Sequence, residues 1–148
     1  MKNCIYNIFF IPSLLFLWGC SPIAETVKKV WGSSTQALEN ARSESVSKVY
    51  SCDFDQCFDA VLSLGRNEPK LKSTNKKFFD IFLKDPVKGH IVVMGILGNV
   101  NTTEVGIFFT PVSDRVVKLD ISSLSTTAKE KVAKAVFDEL NLHFSEIH

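Results

Sequence analysis

Two thiols stand close enough along the chain to bond to one another. Cys52 and Cys57 are separated by Asp-Phe-Asp-Gln, which puts the first just ahead of an expected helix and the second about one turn inside it. Backbones so placed can come within the roughly 4.4 to 6.8 Å that a disulfide requires. A helix amino terminus also lowers a thiol pKa, so the pair can be read as a redox site, and two buried free thiols are a third reading. The spacing is not Cys-x-x-Cys, and Asp53, Asp55 and Asp59 oppose thiolate formation. A disulfide is the leading expectation.

The other reactive side chains do not assemble into a constellation. His90, His143 and His148 are scattered, and no pair has a spacing that a tetrahedral metal site favours. His90 follows a turn and is expected at the surface or bonded to that turn. Ser123, Ser125, Thr126 and Thr127 form a hydroxyl-rich stretch, but they stand where a helix needs a cap. No Gly-x-Ser-x-Gly, phosphate loop or dinucleotide fingerprint occurs. Asn101-Thr102-Thr103 matches a glycosylation sequon but suits a turn. The expectation is a protein with no catalytic residues, no metal ion and no cofactor.

Charge excludes one partner class. Lys plus Arg total 17 and Asp plus Glu total 16; without Lys2 the balance is 16 against 16. Nucleic-acid binding needs clustered cations to displace counterions, and the longest basic cluster, Lys70, Lys72, Lys76 and Lys77, suits a solvated loop. No nucleic-acid partner is expected.

The first 20 residues point to a membrane. One Lys is followed by an apolar run from Ile8 to Trp18, then Gly19 and Cys20, in the order of a secretory signal. The run is about 11 residues, whereas a helix spanning a bilayer needs about 20. Leu17-Trp18-Gly19-Cys20 resembles the lipobox of bacterial lipoproteins, with Trp18 standing where a small residue is usual. The resemblance implies cleavage before Cys20, lipidation of its thiol (the palmitate-bearing end of the mature chain) and, with Ser21 following, the periplasmic face of the outer membrane. Two or three acyl chains make release negligible, since each buried methylene contributes about 0.8 kcal/mol.

Behind the anchor, Ser21 to Lys48 carries two thin helical patterns split by Gly32. A helix beginning near Ser34 is expected. Its apolar stripe is too narrow to hold by itself, because short isolated helices are marginal in water. The segment is read as a spacer, or as a helix that docks a partner through Trp31.

From Val46 the periodicity changes. Val46–Tyr50 suits a strand and Asp53–Leu64 a helix capped by Asp53 and closed by Gly65. Phe78–Lys84 and His90–Leu97 form a hairpin around Asp85-Pro86-Val87-Lys88-Gly89, with Phe79, Ile81 and Leu83 on one face. Glu104–Thr110 and Arg115–Ser122 follow as strands around a Pro111–Asp114 turn, and Ala128–Phe144 closes as a helix with a Thr127–Glu130 capping box. The expected fold is α+β: a two-layer sandwich ordered strand, helix, four antiparallel strands, helix, with both helices on one sheet face. The expected parts are a signal over 1–19, a lipidated tether over 20–45 and a globular domain over 46–148. Phe78, Phe82 and Phe108 would lie on the other sheet face, where the tether or sheet curvature covers them or, left partly open, they form an interaction surface with Trp31.

Gly32–Thr35, Ala37–Glu39, Cys57–Leu62, Gly89–Gly95 and Ser123–Leu140 together resemble an uncharacterised family of small bacterial lipoproteins. The resemblance covers most of the mature chain and implies class and location, not an activity. The leading functional expectation is a membrane-anchored accessory module for an envelope protein partner. The 12 Phe residues keep open an apolar-ligand binder, and the cysteine pair a redox accessory.

Overall fold

A computed structural model describes residues 34–66, 77–96 and 103–148, all within a compact unit running from Ser33 to His148. Cys20, Trp31, the signal and the sequon Asn101 lie outside the described residues. The described residues form an α+β fold built on one six-stranded sheet. Helical residues 34–40 (α1) lead through a 3-10 turn, Ala41–Glu44, into β1, Val46–Ser51. Then come α2, Phe54–Ser63, β2, Asp80–Asp85, β3, His90–Met94, β4, Val105–Ser113, β5, Val116–Ser122, α3, Thr126–His143, and β6, Ser145–Ile147. All pairings are antiparallel, and the order is β2-β3-β4-β5-β1-β6.

Strand alternation sorts the side chains. Ile91 and Val93, Val105, Ile107 and Phe109, and Val117, Leu119 and Ile121 share one buried cluster with Val61 and Leu62 of α2 and with Val132, Val136 and Leu140 of α3. Spacings of three and four residues bring these helix positions onto one stripe. Tyr50 ties β1 into this core: its ring is fully buried and its hydroxyl donates to Asn141 Oδ1 at 3.0 Å. Burial, with the nearby Glu146 and Asp138 carboxylates, pushes the phenol up to about 12.

Several elements depart from the sequence expectation. The expected β2 alternation breaks at Phe82: Ile81 pairs with Val93 but Leu83 pairs with Val92, so Phe82 is the extra residue of a bulge. Leu83 therefore joins a different buried cluster from Ile81. Likewise β4 does not stop before Pro111 but runs to Ser113, with a second register shift after Pro111; a bulge tolerates a residue without an N–H. Helix α3 is capped by Ser125, which accepts from the Ala128 amide at 3.3 Å, rather than by Thr127. Asp53 stands at the N-cap of α2 but without a side-chain cap bond, while Gly65 follows the C-cap Leu64 as expected and donates to the Leu62 carbonyl at 3.1 Å.

The chain end also departs from the expectation of a helix running to Phe144 with no strand after it. Phe144 is instead extended (φ −135°, ψ 154°), and Ser145–Ile147 pairs with β1. Lys48 Nζ meets Glu146 Oε2 at 2.5 Å and lies 5.3 Å from the Phe137 ring centroid, so the chain end is fastened to both β1 and α3.

The β2–β3 hairpin turns where expected. Gly89 sits at φ +66°, and a Cβ there would lie 2.6 Å from the Phe109 carbonyl oxygen, whose residue's amide donates back to Gly89 O at 2.7 Å. Gly89→Ala combines left-handed strain with a backbone clash, so a loss of about 1–2 kcal/mol is expected in urea unfolding. An unchanged midpoint would contradict this account of the turn.

Candidate functional site

The strand residues that alternate with the core form a cross-strand row. Asp85 of β2 pairs with His90 of β3, His90 with Phe108 of β4, Phe108 with Asp120 of β5, and Asp120 with Ser47 of β1. Next to it runs a second row, Leu83, Val92, Gly106 and Ser122. Pairing register sets both rows, because directly opposed residues in antiparallel strands project to the same side.

Residues 34–44 lie against these rows as a strap. Leu38 is buried in a small cluster with Val92 and Phe108, and Leu83 packs against it. Gly106 makes the approach possible: a Cβ there would stand 3.4 Å from Leu38 Cβ and 2.6 Å from the Phe108 ring. Ser122 Oγ donates to the Leu38 carbonyl at 2.7 Å, and Ser34 Oγ donates to Glu104 Oε2. Lys129 Nζ donates to the Glu44 carbonyl at 2.5 Å.

Arg42 is the centre of the contact. Its guanidinium carbon sits 4.8 Å from the Phe108 ring centroid, and Nη2 donates to Asp120 Oδ2 at 2.6 Å and to Thr110 Oγ1 at 3.2 Å. The other carboxylate oxygen, Oδ1, accepts from Ser47 Oγ at 2.6 Å and faces Lys118 Nζ at 2.9 Å. Burial of Asp120 opposes its ionisation, but hydrogen bonds from Arg42, Ser47 and Lys118 and the Lys118 charge outweigh it and hold the carboxyl below its usual range. Both oxygens are thus engaged, and the group is built to hold a cation in place.

The sign of the pH dependence follows. A carboxyl whose folded pKa is depressed stabilises the fold above its unfolded value, about 3.9, and loses that contribution as pH falls through the folded value. Asp120→Asn is expected to be less stable than the wild type at neutral pH, with the gap closing as pH drops below about 4. Thermal melts across pH 2–7 read this; a gap independent of pH would contradict it.

The sequence-derived candidates are dispersed. Cys52 and Cys57 form a disulfide with Cα atoms 6.1 Å apart, and both are buried, at 5% and 0% exposure. Phe108 is 4% exposed, beneath the strap. Phe78 packs against the main core and edge-on to Phe79, while Phe82 on the bulge is 37% exposed. The three aromatics do not share one open face, because the bulge redirects β2 and the strap covers Phe108. His90 is not a surface residue: it is 3% exposed and packs edge-on to Phe108. Sequence reasoning missed Arg42 and Asp120, which lie 78 residues apart; a polar residue alternating along a strand and a lone Arg in a polar segment carry no signal of pairing.

Among the described residues no group of three His, Cys, Asp or Glu side chains is arranged to hold a metal ion. No described helix is long and apolar enough to cross a membrane. Comparison with protein-family models and with curated proteins found no match.

Proposed function

We propose that this chain is a bacterial envelope lipoprotein, anchored by lipid on Cys20 at the periplasmic face of the outer membrane, whose domain is a non-catalytic module for an envelope protein partner. In this reading α2 and α3 cover one sheet face in the manner of a two-layer sandwich, and the strap covers part of the other. The anchor rests on the order of charge, apolar run and Leu-Trp-Gly-Cys in the first 20 residues.

The observation that carries the modular reading is how the reactive groups are engaged. Cys52 is bonded to Cys57, Asp120 holds Arg42, Lys118 and Ser47, and Ser122 and Ser123 donate to the carbonyls of Leu38 and Glu104. Groups used this way fix structure, which leaves surface recognition as the work of the domain. Burial of both sulfurs keeps an external thiolate from in-line attack, so the redox alternative gains nothing from the fold. Aromatic content does not call for an apolar ligand either: Phe54, Phe58 and Phe109 pack on one another with centroids 5.1 to 6.1 Å apart.

Photo-crosslinking in intact membranes followed by affinity capture tests the proposal. One protein recovered in stoichiometric amount is expected. Repeated recovery of none would overturn the modular reading.

A further inference from the structure

We propose that residues 34–44 are a detachable lid: they occupy a groove, floored by Gly106 and bounded by Val92, Phe108 and Asp120, whose other occupant is a helical segment of a partner presenting an aliphatic residue four positions before an arginine. The inference deepens the modular reading above and rests on it.

The strap is held mainly by polar contacts and buries far less apolar surface than the helices. Four side chains of α2 and six of α3 are buried, whereas the 3-10 turn buries none and residues 34–40 bury Leu38 alone. Arg42 keeps 36% of its side chain exposed, so its ion pair with Asp120 is weaker than a fully desolvated one. Gln36, Glu39, Asn40, Ser43 and Glu44 face solvent. About two turns of α-helix and one 3-10 turn so attached open locally at a fraction of the global unfolding free energy.

Opening uncovers something specific. The aliphatic and aromatic surface of Val92 and Phe108 would be bare, and beside it Asp120 Oδ2 would lose its guanidinium donor while Oδ1 keeps Lys118 and Ser47. A site of that composition favours an apolar side chain with a donor beside it, since the apolar surface and the freed Oδ2 acceptor lie next to one another. Leu38 near the end of α1 and Arg42 in the 3-10 turn both reach Phe108 from positions four apart, and helical segments bind grooves through such anchors. Gly106 matters to any occupant, because a side chain there would meet the Leu38 position and the Phe108 ring.

Two measurements on the full chain in detergent micelles test the lid. In hydrogen exchange, the amides of residues 38–45 should exchange at least tenfold faster than those of β4 and β5, and Arg42→Gln should accelerate them about another tenfold while leaving β4 and β5 unchanged. Strap amides that exchange only at the rate of β4 and β5 would overturn the lid, with no variant needed. In the second, a synthetic peptide with the sequence of residues 34–44 is titrated into 15N-labelled Leu38→Ser/Arg42→Gln protein. Shifts at the Val92, Phe108 and Ser122 amides are expected, with affinity at least tenfold weaker for the wild type and no shifts from a peptide lacking the Leu and Arg. Equal response of both proteins, or none in the open variant, would overturn the groove. Either failure leaves the membrane crosslinking result standing, so loss of the lid and loss of the modular reading are distinguishable.

Discussion

Phe109→Ala is expected to destabilise the domain by about 3–5 kcal/mol and to lower its melting temperature by more than about 10 °C. Phe109 is on β4, paired with Leu119 of β5, and its amide is bonded to the carbonyl of Gly89 in the neighbouring turn. Its ring lies 5.1 Å from that of Phe58 and 6.1 Å from that of Phe54. Truncation removes one member of this triplet and leaves a cavity between a strand and a helix, neither of which can collapse far without breaking strand register. Phe82→Ala on the bulge, where 37% of the residue is exposed, is expected to cost under about 1 kcal/mol. Equal losses at the two positions in chemical denaturation would contradict this placement of the core.

The second large effect is expected at the disulfide. Cys52→Ala with Cys57→Ala opens a covalent loop of about six residues, which in the chain-entropy model is worth about 2 kcal/mol. Both sulfurs are buried against the α2 core, so lost packing adds to it. Alanine is chosen over serine because a hydroxyl at these positions would need a new partner. Melts of the double variant should be insensitive to reductant, while unfolding the wild type in reductant should bring it down to the variant. A wild type as insensitive as the variant would show that no bridge contributes.

Local signals made much of the scaffold readable. Alternation and the Asp-Pro-Val-Lys-Gly turn gave the β2–β3 hairpin, and helical spacing of Phe54, Cys57, Phe58, Val61 and Leu62 gave α2. The spacing of Cys52 and Cys57 across a strand-to-helix junction was likewise a local fact, and the bridge is there. What escaped was set by tertiary pairing. Ser145–Ile147 becomes a strand only because β1 offers an edge, and nothing in three residues announces that. The extra residue at Phe82 leaves the composition of β2 unchanged while moving Leu83 to another cluster. The strap is the clearest case: the thin apolar stripe around Leu38 looked insufficient for a stable helix, and one Leu is indeed all that it buries, but Ser122, Lys129 and Asp120 supply the rest from distant parts of the chain.

The strap also gives the proposed anchor a structural consequence. If lipid holds Cys20, the chain reaches the sheet through residues 34–44, and whatever loosens Arg42 from Asp120 changes both the reach of the domain and the surface that it presents. Release of lightly held segments is a common basis for switching. All of this depends on the anchor, which is directly measurable. Labelling cells with an alkyne analogue of palmitate and following the protein into the membrane fraction should yield label and membrane association for the wild type, and neither for Cys20→Ser. Equal labelling of the two proteins, or its absence from both, would contradict lipidation at Cys20.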